Sequence, residues 1–256
     1  RYEIKAKGDM LLQKADPYGN RTQSAPLWNS VVADVSDFTW NDSSWMAERK
    51  KYDDRRQPVS IYETSLGQWK SGKELVTFAK EKGYTHVELH PVMEFLEDGS
   101  DGYPTSAYFV VSTRYGTPAK FAALVDELHQ VGIGVILDWS PAQFPRYAGG
   151  LEKFDGTPLY EVKDPEMAVH PMWGPMLYNY DSPMVMDFLI SNACFWLEVF
   201  HVDGLRMDDV DAMLYLDYGR KDGWTPNMYG SNENLHAIEF LKHLNSIVKK
   251  RDPGAL

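Results

Sequence analysis

From Pro58 onward the chain alternates four times between a short β-rich run and an amphipathic helical stretch, and this alternation limits the possible folds most. "VSIYE" leads into "SGKELVTFAKEKG", where Leu75, Phe78 and Ala79 form a helical stripe that Gly83 ends. "THVELHPV" is a second strand. After a long polar loop comes "TPAKFAALVDELHQVG", a helix with Thr117 at its N-cap and Pro118 in its first turn. "GIGVILDW" is apolar without interruption, the pattern of a strand buried on both faces. "SPMVMDFLISNACFWLEVF", "HVDGLRM" and "NENLHAIEFLKHLNSIVKK" continue the series as helix, strand and helix. Four β-α units in succession specify a parallel α/β sheet. No glycine-rich phosphate loop supports a nucleotide-binding doubly wound sheet. The loops after the strands are instead long and rich in Asp, Tyr, Trp and Pro, as on the active face of a (β/α)8 TIM barrel. Four units make half of such a barrel, with open sheet edges at the first and fourth strands.

Ahead of this region, "RYEIKAKGDMLLQKADPYGN" alternates like two strands around a Gly-Asp turn, and the stretch from Arg21 to about Gln57 is irregular. Residues 1–27 therefore read as the end of a β domain, 28–57 as a linker packed on the barrel, and 58–256 as the half barrel itself.

The 256 residues are 43 % hydrophobic and 25 % charged, the composition of a soluble globular protein. A formal net charge of −11 without a basic stripe argues against a nucleic-acid partner. No apolar run approaches the ~20 residues needed to cross a bilayer, so no membrane partner is expected, and the location is inferred to be cytoplasmic. The single Cys194 excludes an internal disulfide and a thiolate metal cluster, and its apolar helical setting makes it a small buried hydrophobe. No metal-ligand cluster is apparent and no cofactor is expected. With 8 Trp and 15 Tyr, rings left at a cleft would suit the flat apolar faces of sugars.

In a strand, positions i and i+2 share a face. Gly204, Arg206 and Asp208 thus point one way and Leu205 and Met207 the other. Gly204 leaves space, and the charge on Arg206 keeps Asp208 ionised. Such a carboxylate at the tip of a barrel strand fits a nucleophile for a glycosyl carbon; the same spacing also fits a structural ion pair or a helix N-cap. Asp138 ends "GVILD" in the same way, as a rim residue or a cap. Tyr103, between Gly102 and Pro104, is either held rigidly against a ligand or simply packed. Asp203 opens its strand on the opposite face and is expected to bond backbone. Asp209 and Asp211 are expected to cap the following turn, Asp217 to be solvated, and His86 and His90 to be structural.

Together these segments resemble the α-amylase superfamily and, within it, the 1,4-α-glucan (glycogen) branching enzymes. "VDGLRMD" suggests the superfamily; "MLYLDYGR", "YETSLGQW" and "ILDWSPAQF" point to branching enzymes. The resemblance implies that residues 1–27 end a β-sandwich carbohydrate-binding module. It implies that Asp208 is the nucleophile, that Arg206 is its charged neighbour, and that Asp138 and Tyr103 line the sugar pocket. The family carries His where this chain has Gln143, an amide that can still donate to a sugar hydroxyl but cannot be a cation. "GYPTS" replaces the family's "GYQPT" beside Tyr103. The acid/base Glu is expected beyond "PGAL", so the chain by itself is expected to be inactive. The implied substrate is an α-glucan, glycogen or amylose. A hydrolase of the same superfamily and a non-catalytic glucan-binding protein are the alternatives.

Overall fold

The computed structural model describes residues 1–24, 27–51 and 56–256. A hairpin of β1 (Tyr2–Lys5) and β2 (Leu11–Lys14) opens the chain, followed by a short helix α1 (Ser43–Arg49). The repeating region runs β3 (Ile61–Thr64), α2 (Gly72–Lys82), β4 (His86–Leu89), a two-stranded excursion of β5 (Met93–Phe95) and β6 (Thr105–Val111), α3 (Pro118–Gln130) and β7 (Gly134–Trp139). A second excursion, β8 (Gln143–Phe144) and β9 (Met176–Leu177), precedes α4 (Pro183–Val199), β10 (Gly204–Met207), α5 (Val210–Leu214) and α6 (Leu235–Arg251).

Strands β3, β4, β7 and β10 form one parallel sheet in that order. All six residues of β7 are buried, which accounts for its unbroken apolar sequence. The helix ends follow local chemistry. Ser71 accepts a hydrogen bond from the Glu74 amide, Thr117 from that of Lys120 and Asn234 from that of Ala237. Gly83 closes α2 at φ 76°, a left-handed conformation that glycine adopts without a Cβ penalty. Ser182 precedes Pro183 but makes no capping bond. The apolar faces of α2, α3 and α4 cover the sheet, with Leu75, Val125, Leu137, Leu189 and Trp196 fully buried.

Two expectations need correction. The irregular stretch from Arg21 to Gln57 contains α1, which is too short to show a period and is held by tertiary contacts. Residues 25–26 and 52–55 of that stretch lie outside the described residues. The edge at the fourth strand is not open along its length: Leu256 donates to the Asp203 carbonyl and accepts from the Leu205 amide, pairing alongside β10. Leu256 also fills the space beside Gly204, where a Cβ would lie 2.9 Å from the Leu256 Cβ.

Helix α1 is locked onto the N-terminal ends of the strands by a buried ionic network. Asp203 does bond backbone, accepting from the Val135 amide at 2.6 Å, but it also accepts from Trp45 Nε1 and pairs with Arg49 and His129. The Arg49 guanidinium additionally reaches Asp252 and the carbonyls of His201 and Val202. His129 meets Asp42 at 2.8 Å and Asp203 at 2.9 Å through its two ring nitrogens. Burial alone would lower the His129 pKa, but hydrogen bonds to the two carboxylates raise it above its ordinary 6.5.

Removing Arg49 strands buried carboxylates, so Arg49→Met is expected to cost about 3–5 kcal/mol in urea unfolding. The stabilisation from His129 is complete below pH 6.5 and is lost as pH rises through its raised pKa. The stability gap between the native chain and His129→Gln should therefore narrow above that pH. A gap independent of pH would contradict the ionic role.

Candidate active site

The pairing of β10 with β7 sets Arg206 directly beside Asp138. Arg206 Nη1 lies 2.8 Å from Asp138 Oδ1 and 2.8 Å from Asp208 Oδ1, donating to both carboxylates. The ladder continues past β10, since the Asp208 amide donates to the Trp139 carbonyl at 3.0 Å. Tyr103 arrives from the loop between β5 and β6. Its hydroxyl donates to Asp138 Oδ2 at 2.5 Å and accepts from Arg206 Nη1 at 3.4 Å. That loop depends on Gly102, at φ 97°, where a Cβ would come 2.9 Å from Pro91 Cβ. The Tyr103–Pro104 peptide bond is cis.

Four residues therefore converge: Arg206 and Asp208 from one strand face, Asp138 through the register of β7, and Tyr103 from a loop. They are not equivalent. The Asp138 side chain is 3 % exposed and both its oxygens are engaged, whereas the Asp208 side chain keeps 24 % exposure. Burial, reinforced by the Asp138 carboxylate, raises the Tyr103 pKa far above its ordinary 10, so the phenol stays a donor. Burial works against the Arg206 charge, but Asp138 and then Asp208 outweigh it and keep the guanidinium protonated. One level down on the neighbouring strand, Glu88 is raised by burial and then by Asp138 and Glu63. Glu88 was not singled out in the sequence because it sits in an ordinary strand alternation.

Gln143 is buried on β8, with its Oε1 lacking a hydrogen-bond partner, and it makes no hydrogen bond to these four residues. Asp209 is not a side-chain cap. Its backbone is left-handed at φ 57°, and its buried carboxylate lies 3.1 Å from His170 Nε2. His170 Nδ1 accepts from the amides of Met172 and Trp173, which leaves the ring proton on Nε2. No periodicity marked His170, because only the tertiary fold brings its loop to Asp209. Asp217 is not simply solvated; it accepts from Asn232 Nδ2 at 2.9 Å. His86 is buried beside Thr85, His90 pairs with Glu63 at 3.0 Å, and Cys194 is buried. No helix is long and apolar enough to cross a membrane, and no group of metal-ligating side chains occurs among the described residues.

Burial, followed by the charges of Asp208 and Asp211, pushes the Asp209 pKa from 3.8 up to about 7. Between those values the folded chain binds the proton more tightly than the unfolded one, so this residue costs stability as pH rises. Asp209→Asn is expected to become progressively more stable relative to the native chain from pH 5 to pH 8, as read by urea unfolding. A constant difference would contradict this.

A family model described as "Alpha amylase, catalytic domain" matches residues 34–141. The "1,4-alpha-glucan branching enzyme GlgB" of Methylococcus capsulatus is 46 % identical over 271 aligned positions, covering 100 % of this chain and 36 % of that protein. Its counterpart from Thermobifida fusca is 48 % identical, covering 94 % of this chain and 33 % of its own length. The chain spans about a third of the length of the curated relatives it matches. A crystal structure of a putative alpha amylase from Salmonella typhimurium superposes with a TM-score of 0.68 at 22 % identity, covering 94 % of this chain and 37 % of that one, a likeness of fold. With the partial barrel-type fold and identities above 40 % along its whole length, this chain belongs to the 1,4-alpha-glucan branching enzyme family of the α-amylase superfamily.

Proposed function

We propose that this chain supplies the nucleophile and part of the sugar pocket for a retaining transfer of α-1,4-glucan segments to a 6-hydroxyl. The observation that carries the reading is the Arg206 bridge, which fixes Asp208 while leaving it the more accessible of two paired carboxylates. The names of the relatives supply the substrate class.

In the first step an Asp208 oxygen attacks the anomeric carbon as the bond from that carbon to the leaving glucan oxygen breaks. The leaving oxygen takes a proton from an acid, and the donor chain remains as an ester on Asp208. In the second step the 6-hydroxyl of another glucan attacks the same carbon, its proton passes to the conjugate base, and Asp208 is released as a carboxylate. Inversion twice gives retention. Arg206 balances the charge on Asp208 as it forms and leaves the ester. Asp138, held by Tyr103 and Arg206, is positioned to accept from sugar hydroxyls rather than to give a proton.

The acid of the first step is not one of these four residues, so the 256-residue chain alone is expected to branch no amylose. The missing proton donor costs typically 10²–10⁴-fold. Residues 1–27, of which β1 and β2 are the regular part, read as the end of a carbohydrate-binding module, with 28–57 as the linker and 58–256 as barrel.

In a protein of the relatives' length containing this chain, Asp208→Asn is expected to lower branching about 10⁴-fold or more. Arg206→Leu should lower it about 10²–10³-fold. Amylose should lose iodine absorbance with scarcely any new reducing ends. Reducing ends formed in step with the absorbance loss would instead identify a hydrolase, and full activity in Asp208→Asn would refute the assignment.

A further inference from the structure

The segment "MLYLDYGR" that distinguishes this sequence contributes nothing to the four-residue cluster, yet its side chains converge on one loop. Arg220 donates to the carbonyls of Glu166, Met167 and Val169 at 2.9, 3.3 and 2.6 Å. The Tyr218 ring meets that of His170 at 5.9 Å between centroids. Gly219, at φ 65°, lies so close that a Cβ would come 2.9 Å from Pro171 Cγ. From the other side Asp209 faces His170 at 3.1 Å. The turn from His170 to Gly174 is closed by its own backbone, the Gly174 amide donating to the His170 carbonyl at 3.0 Å.

What this bracing holds outward is Trp173. One face of its indole lies flat on His170, with centroids 4.6 Å apart and planes 2° from parallel, while the residue remains 57 % exposed. A large aromatic left in the open and fixed by buried partners is preorganised, so a ligand that covers it orders little side chain on binding. Sugars present flat C–H faces that suit such a ring. The support also links Trp173 to the candidate site: Trp173 rests on His170, His170 faces Asp209, and Asp209 directly follows Asp208.

We propose that the outer face of Trp173 is a stacking platform for the α-glucan chain engaged at Asp208, mounted on His170 and the Tyr218–Arg220 brace. This rests on the proposed transfer reaction and adds a specific binding residue to it.

The test is a maltoheptaose titration of the chain carrying 5-fluorotryptophan, followed by 19F NMR, with the Trp173 resonance assigned from Trp173→Phe. That resonance should shift saturably. Trp173→Ala should weaken association about tenfold, in line with loss of one ring's stacking surface. Trp173→Tyr should keep most of the affinity, and Lys80→Ala on the exposed face of α2 should change nothing. If Trp173→Ala fails to fold, the resonance and the tyrosine variant decide. Maltoheptaose binding with an unmoved Trp173 resonance, or with undiminished affinity in Trp173→Ala, would overturn the platform and leave the transfer reaction standing. No binding by the unsubstituted chain would overturn the platform as well, while the transfer reaction is decided separately by Asp208→Asn.

Discussion

A single guanidinium nitrogen, Arg206 Nη1, holds the candidate site together. It donates to Asp138 and Asp208 at 2.8 Å each. It can do so only because β10 and β7 run parallel with Arg206 opposite Asp138. A slip of one residue would turn Arg206 and Asp208 to the other face of the sheet. The division of labour between the two carboxylates comes from depth. Asp138 lies within the strand, where Tyr103 completes its hydrogen bonding, and Asp208 lies just past the strand end, where a substrate can reach it.

Strand β10 connects two electrostatic systems of different purpose. Asp203, just before it, belongs to the network of Arg49, His129, Asp42 and Asp252 that fastens α1 to the sheet. Asp208, just after it, belongs to the candidate site. Stability at the N-terminal ends of strands and chemistry at the C-terminal ends is the arrangement expected of barrel-type sheets. Asp203 is surrounded by donors on all sides, while Asp208 has one cation and an open approach. The same residue type thus takes opposite roles according to which end of the strand it occupies.

How much of this was legible in the sequence varies with the range of the interaction. The four strands, the Thr117–Pro118 helix start and the Gly83 helix end come from short-range rules, and the structure carries them. Alternation within one strand put Arg206 and Asp208 on one face, whereas Asp138 was expected only at its strand end, as a rim residue or a cap, and it is the register of β10 on β7 that sets it opposite Arg206. Helix α1 stayed hidden because its seven residues are too few for a period and its stability comes from Asp203 and Asp252, far along the chain. Gly204 read as open space because Leu256, its neighbour in the fold, is distant in sequence. Asp209 read as a cap for the same reason: its partner, His170, comes from another loop. Gln143 has a buried oxygen without a partner and makes no bond to the cluster, so its place in the site rests on resemblance to the family.

The Asp208 assignment can be separated from the proton donor it needs. A glycosyl fluoride departs as fluoride without protonation, so a fluorinated maltosyl fluoride that forms a slowly hydrolysed ester tests the nucleophile in these 256 residues alone. Intact-mass and peptide mass spectrometry should find one glycosyl adduct, carried by the peptide containing Asp208 and absent from Asp208→Asn. An adduct on Asp138 or Glu88, or labelling that survives the substitution, would show that Arg206 does not prepare Asp208 for attack.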